Sequence, residues 1–250
     1  MALPSPSVPT YEGTIPSTGK KIKYRPFLVK EEKLLLLAME GEPEPGSPKK
    51  AWTDWEKEVK DTVRNLLKNC IQTRIKIEDL ANFDLEYIFL QIRAVSSGED
   101  INMKVTCRDD GETQVNVRIN LLDVKVDKEE NHTNKIMLSD DLGMVMKYPG
   151  IDQFVDITLL NKSMDNTEEL FDMISRCVDQ IFQGEEVWDA ADTPQKEIIE
   201  FIEGMTQKQF EKLQEFFTTM PVLRHSFDVT NPNTGVTSTY TLEGLQSFFG

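Results

Sequence analysis

The sequence is poor in the residues that most often carry out chemistry. It has two histidines, His132 and His225, and three cysteines, Cys70, Cys107 and Cys177, in 250 residues. An odd number of widely spaced cysteines does not build a disulfide framework and points to a reducing compartment. Neither histidine stands beside a Cys or Ser in a nucleophile setting. His225 lies between Arg224 and Ser226 at the head of an expected strand and reads as structural; His132 lies in a polar run over 129–134 and reads as solvated. There is no Gly-rich phosphate loop, no His-Glu-x-x-His pair, no Gly-x-Ser-x-Gly elbow and no complete EF-hand loop. Long apolar runs are missing as well. The longest, residues 34–39, falls far short of the roughly 20 residues a membrane span needs. Residues 1–9 contain neither a basic nor an apolar signal-peptide segment, so no secretory signal is expected. Positive charge is scarce: 28 Lys and Arg face 43 Asp and Glu, for a formal net charge of -15. That excludes an overall basic nucleic-acid surface. The expectations are therefore no catalytic residues, no cofactor, no metal, no nucleic acid and no membrane.

What is present is an ordinary globular composition, 39% hydrophobic and 28% charged, with length for one large domain or two modest ones. The charge is unevenly placed. Residues 1–39 carry six bases and three acids, whereas residues 163–203 carry twelve acids and two bases. The acidic stretch has two readings: a solvated acidic helix pair, or a docking surface for a basic partner or for the basic arm of a neighbouring copy. On the second reading Glu185, Glu186 and Asp189 are the candidate partner-facing residues.

Periodicity supplies the elements. Residues 1–16, rich in Pro, Ser and Thr, read as an extended arm. A short strand is expected within 22–29 and helices over 30–40, 51–70 and 85–94, the last capped by Asp84. Residues 101–105 and 115–119 alternate around Asp109-Asp110-Gly111, as do 223–229 and 236–242 around Asn231-Pro232-Asn233-Thr234-Gly235; both are hairpins. Further strands are expected near 124–127 and 143–148. Helix starts are marked by Thr167, by Thr193-Pro194 and by Thr206 with Gln209 in capping-box spacing. The resulting fold class is α+β, mostly helical with two small antiparallel β-hairpin units. It is divided into a flexible arm (1–16), an N-terminal α+β region (17–150) and a C-terminal helical region (151–250).

The two hairpin turns share a pattern. Val105-Thr106-x4-Gly111 recurs as Val229-Thr230-x4-Gly235, either a chance likeness or a duplicated element. Each turn sits where a zinc ribbon places a Cys-x-x-Cys knuckle. Here the ligand places hold Cys107 and Asp110 in one turn and Asn231 and Thr234 in the other. One good ligand of four does not make a zinc site, so the hairpins are expected to fold without metal; if they descend from a single zinc-type arrangement, they are also expected to lie near each other. Cys70 and Cys177 fall on apolar helix faces and read as small buried hydrophobes. Phe216, Phe248 and Phe249 are candidate interface anchors, although packing into the core is the stronger reading for the set. Paired acids such as Asp109-Asp110, Asp140-Asp141 and Glu185-Glu186 read as turn formers, with a carboxylate-based hydrolase a distant alternative.

Three stretches carry a family likeness. They are Lys21-Ile22-Lys23-Tyr24-Arg25-Pro26-Phe27 leading to Val29-Lys30-Glu31-Glu32-Lys33; residues 80–92 with Phe83-Asp84-Leu85-Glu86-Tyr87, followed by Arg93, Ser96, Gly98 and Glu99; and Phe216-Phe217, Met220-Pro221, Gly244-Leu245 and Phe248-Phe249. Together they resemble the baseplate hub assembly family of T4-like contractile-tailed phages, in its cyanophage form. Some members carry Cys-x-x-Cys in the hairpin turns, and this sequence departs there. The resemblance implies a non-enzymatic late protein, a hub subunit or a chaperone, with other hub or tape-measure proteins as partners. Its expected location is the host cytoplasm during assembly or the virion tail baseplate. The alternative is a generic acidic interaction adaptor.

Overall fold

Alternating side chains make the first sheet. The computed structural model describes residues 6–156 and 167–248. In it β1 (Tyr11–Thr14) pairs antiparallel with β2 (Lys21–Tyr24), placing Tyr11 opposite Tyr24. Ile22 and Tyr24 are buried while Lys21 and Lys23 stay exposed, as a half-buried strand requires. Residues 11–14 of the segment read as an arm thus belong to this sheet, and Ile15 beside them is buried.

Helices α1 (Val29–Glu40), α2 (Lys49–Cys70) and α3 (Asn82–Ser97) follow. On α2 the stripe Trp55, Val59, Val63, Leu66, Leu67 and Cys70 is buried, the 3–4 spacing of one helix face. On α3 the burial runs nearly all round, including Phe83, Leu85, Ile88, Phe89, Leu90 and Ile92; such a helix must be enclosed by its neighbours. It is enclosed from both directions along the chain. Ile15, Ile151, Phe154, Leu223, Leu245 and Phe248 all join the same apolar cluster as α2 and α3.

The remaining strands are β3 (Asp100–Thr106), β4 (Gln114–Asn120), β5 (Lys125–Asp127), β6 (Lys135–Met137), β7 (Leu142–Met146), β8 (Val178–Gln183), β9 (Glu186–Asp189), β10 (Val222–Thr230) and β11 (Thr237–Glu243). Helices α4 (Ile151–Phe154), α5 (Thr167–Arg176), α6 (Gln195–Glu203) and α7 (Gln207–Thr219) complete the order. Strands β6-β7-β8-β9 form one antiparallel sheet. Met144 and Met146 from this sheet pack with Ile174, Cys177, Ile198, Ile202, Leu213 and Phe216 into a second cluster. Hairpin β3–β4 and the sheet β11-β10-β5 stand apart from it. The apolar clusters do not divide at residue 150, because the second joins Ile136, Met144 and Met146 to residues 174–216.

The mostly helical expectation is overturned. The described residues are 42% helix and 26% strand, in four antiparallel sheets of two to four strands. The surplus strand lies in two places. One is the short strands β1 and β6, which pair with β2 and β7 and which no alternating pattern marks. The other is the acidic stretch, where the hairpin β8–β9 interrupts what reads as a helix pair. Gly184, at φ +59°, makes that turn, a backbone conformation with little steric cost for glycine. At Gly143 the reason for glycine is space: an added Cβ would lie 2.8 Å from the Ile136 carbonyl oxygen and closer still to the Phe182 ring.

Candidate functional site

The acidic residues singled out in the sequence sit together on hairpin β8–β9. Glu185 is in the turn and Glu186 and Asp189 bracket β9; all three are exposed. Asp189 is held in place, its Oδ1 accepting from Gln180 Nε2 at 2.6 Å and its carbonyl from Thr193 Oγ1 at 2.9 Å. The two cations of the stretch are already engaged, Arg176 with Asp172 and Lys196 with Glu200. Charge at the turn is therefore left for solvent or for another molecule. Part of the acidic stretch, including Asp165, lies outside the described residues.

An apolar feature accompanies the charge. Because β9 ends its sheet, one of its edges faces outward, and an open edge is a ready pairing surface. Val187 and Trp188 are 56% and 43% exposed. Trp188 lies opposite Ile181 and borders a groove of about 250 Å³ lined by Leu142, Ile181, Thr193, Ile198 and Phe201, with Glu197 at its side. An aromatic at the edge of a groove with one carboxylate, Glu197, in its lining is suited to hold an apolar side chain next to a Lys or Arg. Sequence reasoning missed Trp188. The signal was Ile181-Phe182 and Val187-Trp188 flanking Gly184, which is the hairpin pattern.

The aromatic candidates are placed elsewhere. Phe216 is buried in the second cluster, stacked on Tyr148 with ring centroids 5.5 Å apart and edge-on to Phe217 at 5.1 Å. Phe248 is buried in the first cluster, and Phe249 lies outside the described residues. In this fold neither Phe216 nor Phe248 offers a ring to a partner. His132, read as solvated, is partly buried. It lies 2.9 Å from both Thr219 Oγ1 and Tyr148 Oη and packs on Phe216, and burial lowers its pKa. Asp84, read as the cap of α3, is instead buried in its first turn. It accepts from the backbone N–H and hydroxyl of Ser17 at 2.9 and 2.5 Å, and burial raises its pKa.

The second constellation joins the two hairpin turns, the proximity expected if they descend from a single zinc-type arrangement. Asn231 Nδ2 donates to both carboxylate oxygens of Asp109, at 3.1 and 3.0 Å, and to Asp110 Oδ2 at 2.8 Å. Thr234 Oγ1 donates to Asp109 Oδ2 at 2.5 Å, and Asn233 Nδ2 to Thr113 Oγ1 at 2.9 Å. Tyr240 Oη links the hairpins once more, accepting from the Arg108 N–H and donating to the Thr106 carbonyl. Hydrogen bonds from Thr234 and then Asn231 hold the Asp109 carboxyl below the usual carboxylate range; those from Thr113 and then Asn231 hold Asp110 well below it. Val105, Cys107 and Val229 form a small apolar cluster beneath. Burial, and next the neighbouring Asp109, push the Cys107 thiol up. Burial likewise pushes Cys70 and Cys177 up to about 12, so the three thiols are poor nucleophiles. Among the described residues no three His, Cys, Asp or Glu side chains are grouped to hold a metal ion, and no helix is long and apolar enough to cross a membrane.

No curated protein and no solved structure matches the chain. A family model does match, over residues 8–250, and its description is T4 bacteriophage base plate protein.

Proposed function

The chain belongs to the T4 bacteriophage base plate protein family, and from that premise we propose that it acts, without enzymatic activity, in the hub of the tail baseplate. Family membership supports a structural baseplate role, with other baseplate or tail proteins as partners and the virion tail as location. The finer assignment is a hub subunit or hub assembly factor that contacts hub or tape-measure proteins. The observation that carries it is the exposed edge strand β9, where Glu186 and Trp188 share one face, Val187 and Asp189 share the other, and Glu185 lies in the adjoining turn.

The partner segment this surface fits carries Lys or Arg beside apolar side chains. Opposite charge speeds the encounter, the groove takes the apolar side chain, and both effects are specific to the complex rather than to the fold. Reversing Glu185, Glu186 and Asp189 to Lys should abolish capture of hub or tape-measure proteins at low salt while leaving thermal unfolding nearly unchanged. Undiminished capture at low salt would remove this surface from the reading. Mass spectrometry of mature particles against assembly intermediates separates the two roles: a subunit persists in the particle, and an assembly factor is found in the intermediates alone.

A further inference from the structure

The docked turns share one backbone design from Cys107 to Gly111 and from Asn231 to Gly235, after which the first turn closes one residue later than the second. In the first, the Gly111 N–H donates to the Cys107 carbonyl at 2.9 Å and the Cys107 N–H to Thr113 at 2.8 Å. In the second, the Gly235 N–H donates to the Asn231 carbonyl at 2.8 Å and the Asn231 N–H to Val236 at 2.8 Å. Gly111 and Gly235 occupy the same place with φ of +69° and +76°. Residues 107 and 231 are thus equivalent, as are 110 and 234. Cys107-x-x-Asp110-Gly111 and Asn231-x-x-Thr234-Gly235 have the spacing with which paired knuckles present two ligands each to one tetrahedral ion.

The donor set does not suit such an ion. Cys107 is the one thiol. Asp109 and Asp110 are engaged by Asn231 and Thr234. Asn231, 1% exposed, directs an N–H2 group, a donor that cannot ligate metal, at both carboxylates. That amide is the positive end of a dipole set between two negative groups, the electrostatic place a cation takes in a metal clamp. The remaining lone pairs are used inside the turns: Asp110 Oδ1 accepts from the backbone of Glu112 and Thr113, and Asn231 Oδ1 from that of Asn233.

We infer that the paired turns are a metal-free clasp built on a two-knuckle metal scaffold, with the Asn231 amide and Thr234 hydroxyl doing for Asp109 and Asp110 what an ion does for four thiolates. The clasp fastens hairpin β3–β4 to hairpin β10–β11. It needs no ion and is therefore insensitive to chelators.

The test restores the ligands. The full chain carrying Asp110→Cys, Asn231→Cys and Thr234→Cys should bind one cobalt(II) ion with the charge-transfer bands of a four-thiolate site, whereas the unaltered chain shows none. A folded triple variant that shows no such bands would overturn the inference, since the four positions would then not converge. Amide hydrogen exchange gives a readout that does not depend on that variant folding. Asn231→Leu should speed exchange in the β3–β4 turn by about tenfold or more, and chelator should leave the unaltered chain as protected as before. Loss of protection on chelation alone, or an unchanged turn in Asn231→Leu, would equally overturn it.

Discussion

The two larger apolar clusters treat charge in opposite ways. The first, around α2 and α3, takes charged side chains inside. Glu31 is 2% exposed, gripped by the Arg25 guanidinium at 2.6 and 2.9 Å and by the Leu28 N–H at 2.7 Å; Asp84 is buried against Ser17. The second, around the four-stranded sheet, keeps its carboxylates outside, on β9 and α6. Burying a charge is costly unless its partners are fixed, and fixed partners restrict the fold to one arrangement. Surface carboxylates impose no such restriction and remain available to another molecule. The first cluster thus determines how the chain is joined together, and the second supports a face turned toward a partner.

The sharpest way to break this contrast is Glu31→Ala. It leaves Arg25 without its partner in a mostly buried setting, a change that costs about 3–5 kcal/mol, read as a fall in the denaturation midpoint. The pH dependence has a definite sign. The Arg25 hydrogen bond holds the Glu31 pKa below its ordinary value. The stabilisation is thus present above the unfolded carboxylate pKa of about 4.3 and fades as pH falls through the lower folded value. The gap between variant and parent should narrow there.

Next in size is Gly143→Ala in the second cluster. With the Ile136 carbonyl and the Phe182 ring both in the way, the sheet must shift, at about 1–3 kcal/mol. Hydrogen exchange should report the damage in β6–β8 and leave α2 and α3 protected, if the clusters open separately. Uniform loss of protection would show that the two clusters unfold as one.

The smallest effect is expected at His132. Its pKa is lowered by burial, so the folded state favours the neutral ring. Its stabilisation is present above about pH 6.5 and is lost as pH falls through the folded value. His132→Ala should cost about 1–2 kcal/mol at pH 8, for two lost hydrogen bonds, and less at pH 5. An equal cost at both pH values would mean that the ring acts through packing on Tyr148 and Phe216 alone.

Local patterning made much of this legible in the sequence. The stripe of α2, the Thr206–Gln209 capping box, seen as the Thr206 N–H donating to Gln209 Oε1 at 2.9 Å, and both turn hairpins follow from spacings within a few residues. Hairpin β8–β9 was lost because its charge density reads as exposed helix, although Gly184 and the flanking apolar pairs carry the turn. The pairing of β5 with β10 and the seating of Asp84 against Ser17 join distant segments, and no periodicity encodes them. For the candidate site, the carboxylates of β9 were legible from charge alone. Trp188 depended on recognising the strand, and the buried position of Phe216 depended on Tyr148 and His132 closing over it.

The clasp also sets an order of events during synthesis. Asp109 and Thr234 are 125 positions apart. At a synthesis rate of about 5–20 residues per second, the first turn waits about 6–25 s for the second. A lone two-stranded ribbon is marginal in water, so β3–β4 spends that interval fluctuating, with the Asp109 and Asp110 oxygens that later meet Asn231 and Thr234 still hydrated. The charged and amide side chains at its exposed positions, Asn102, Lys104, Asn116 and Arg118, keep its edges from pairing with other nascent chains meanwhile. A polypeptide that stops short of Asn231 holds the first turn with nothing to close on, and the arrival of the second turn marks the point at which the hairpins can lock.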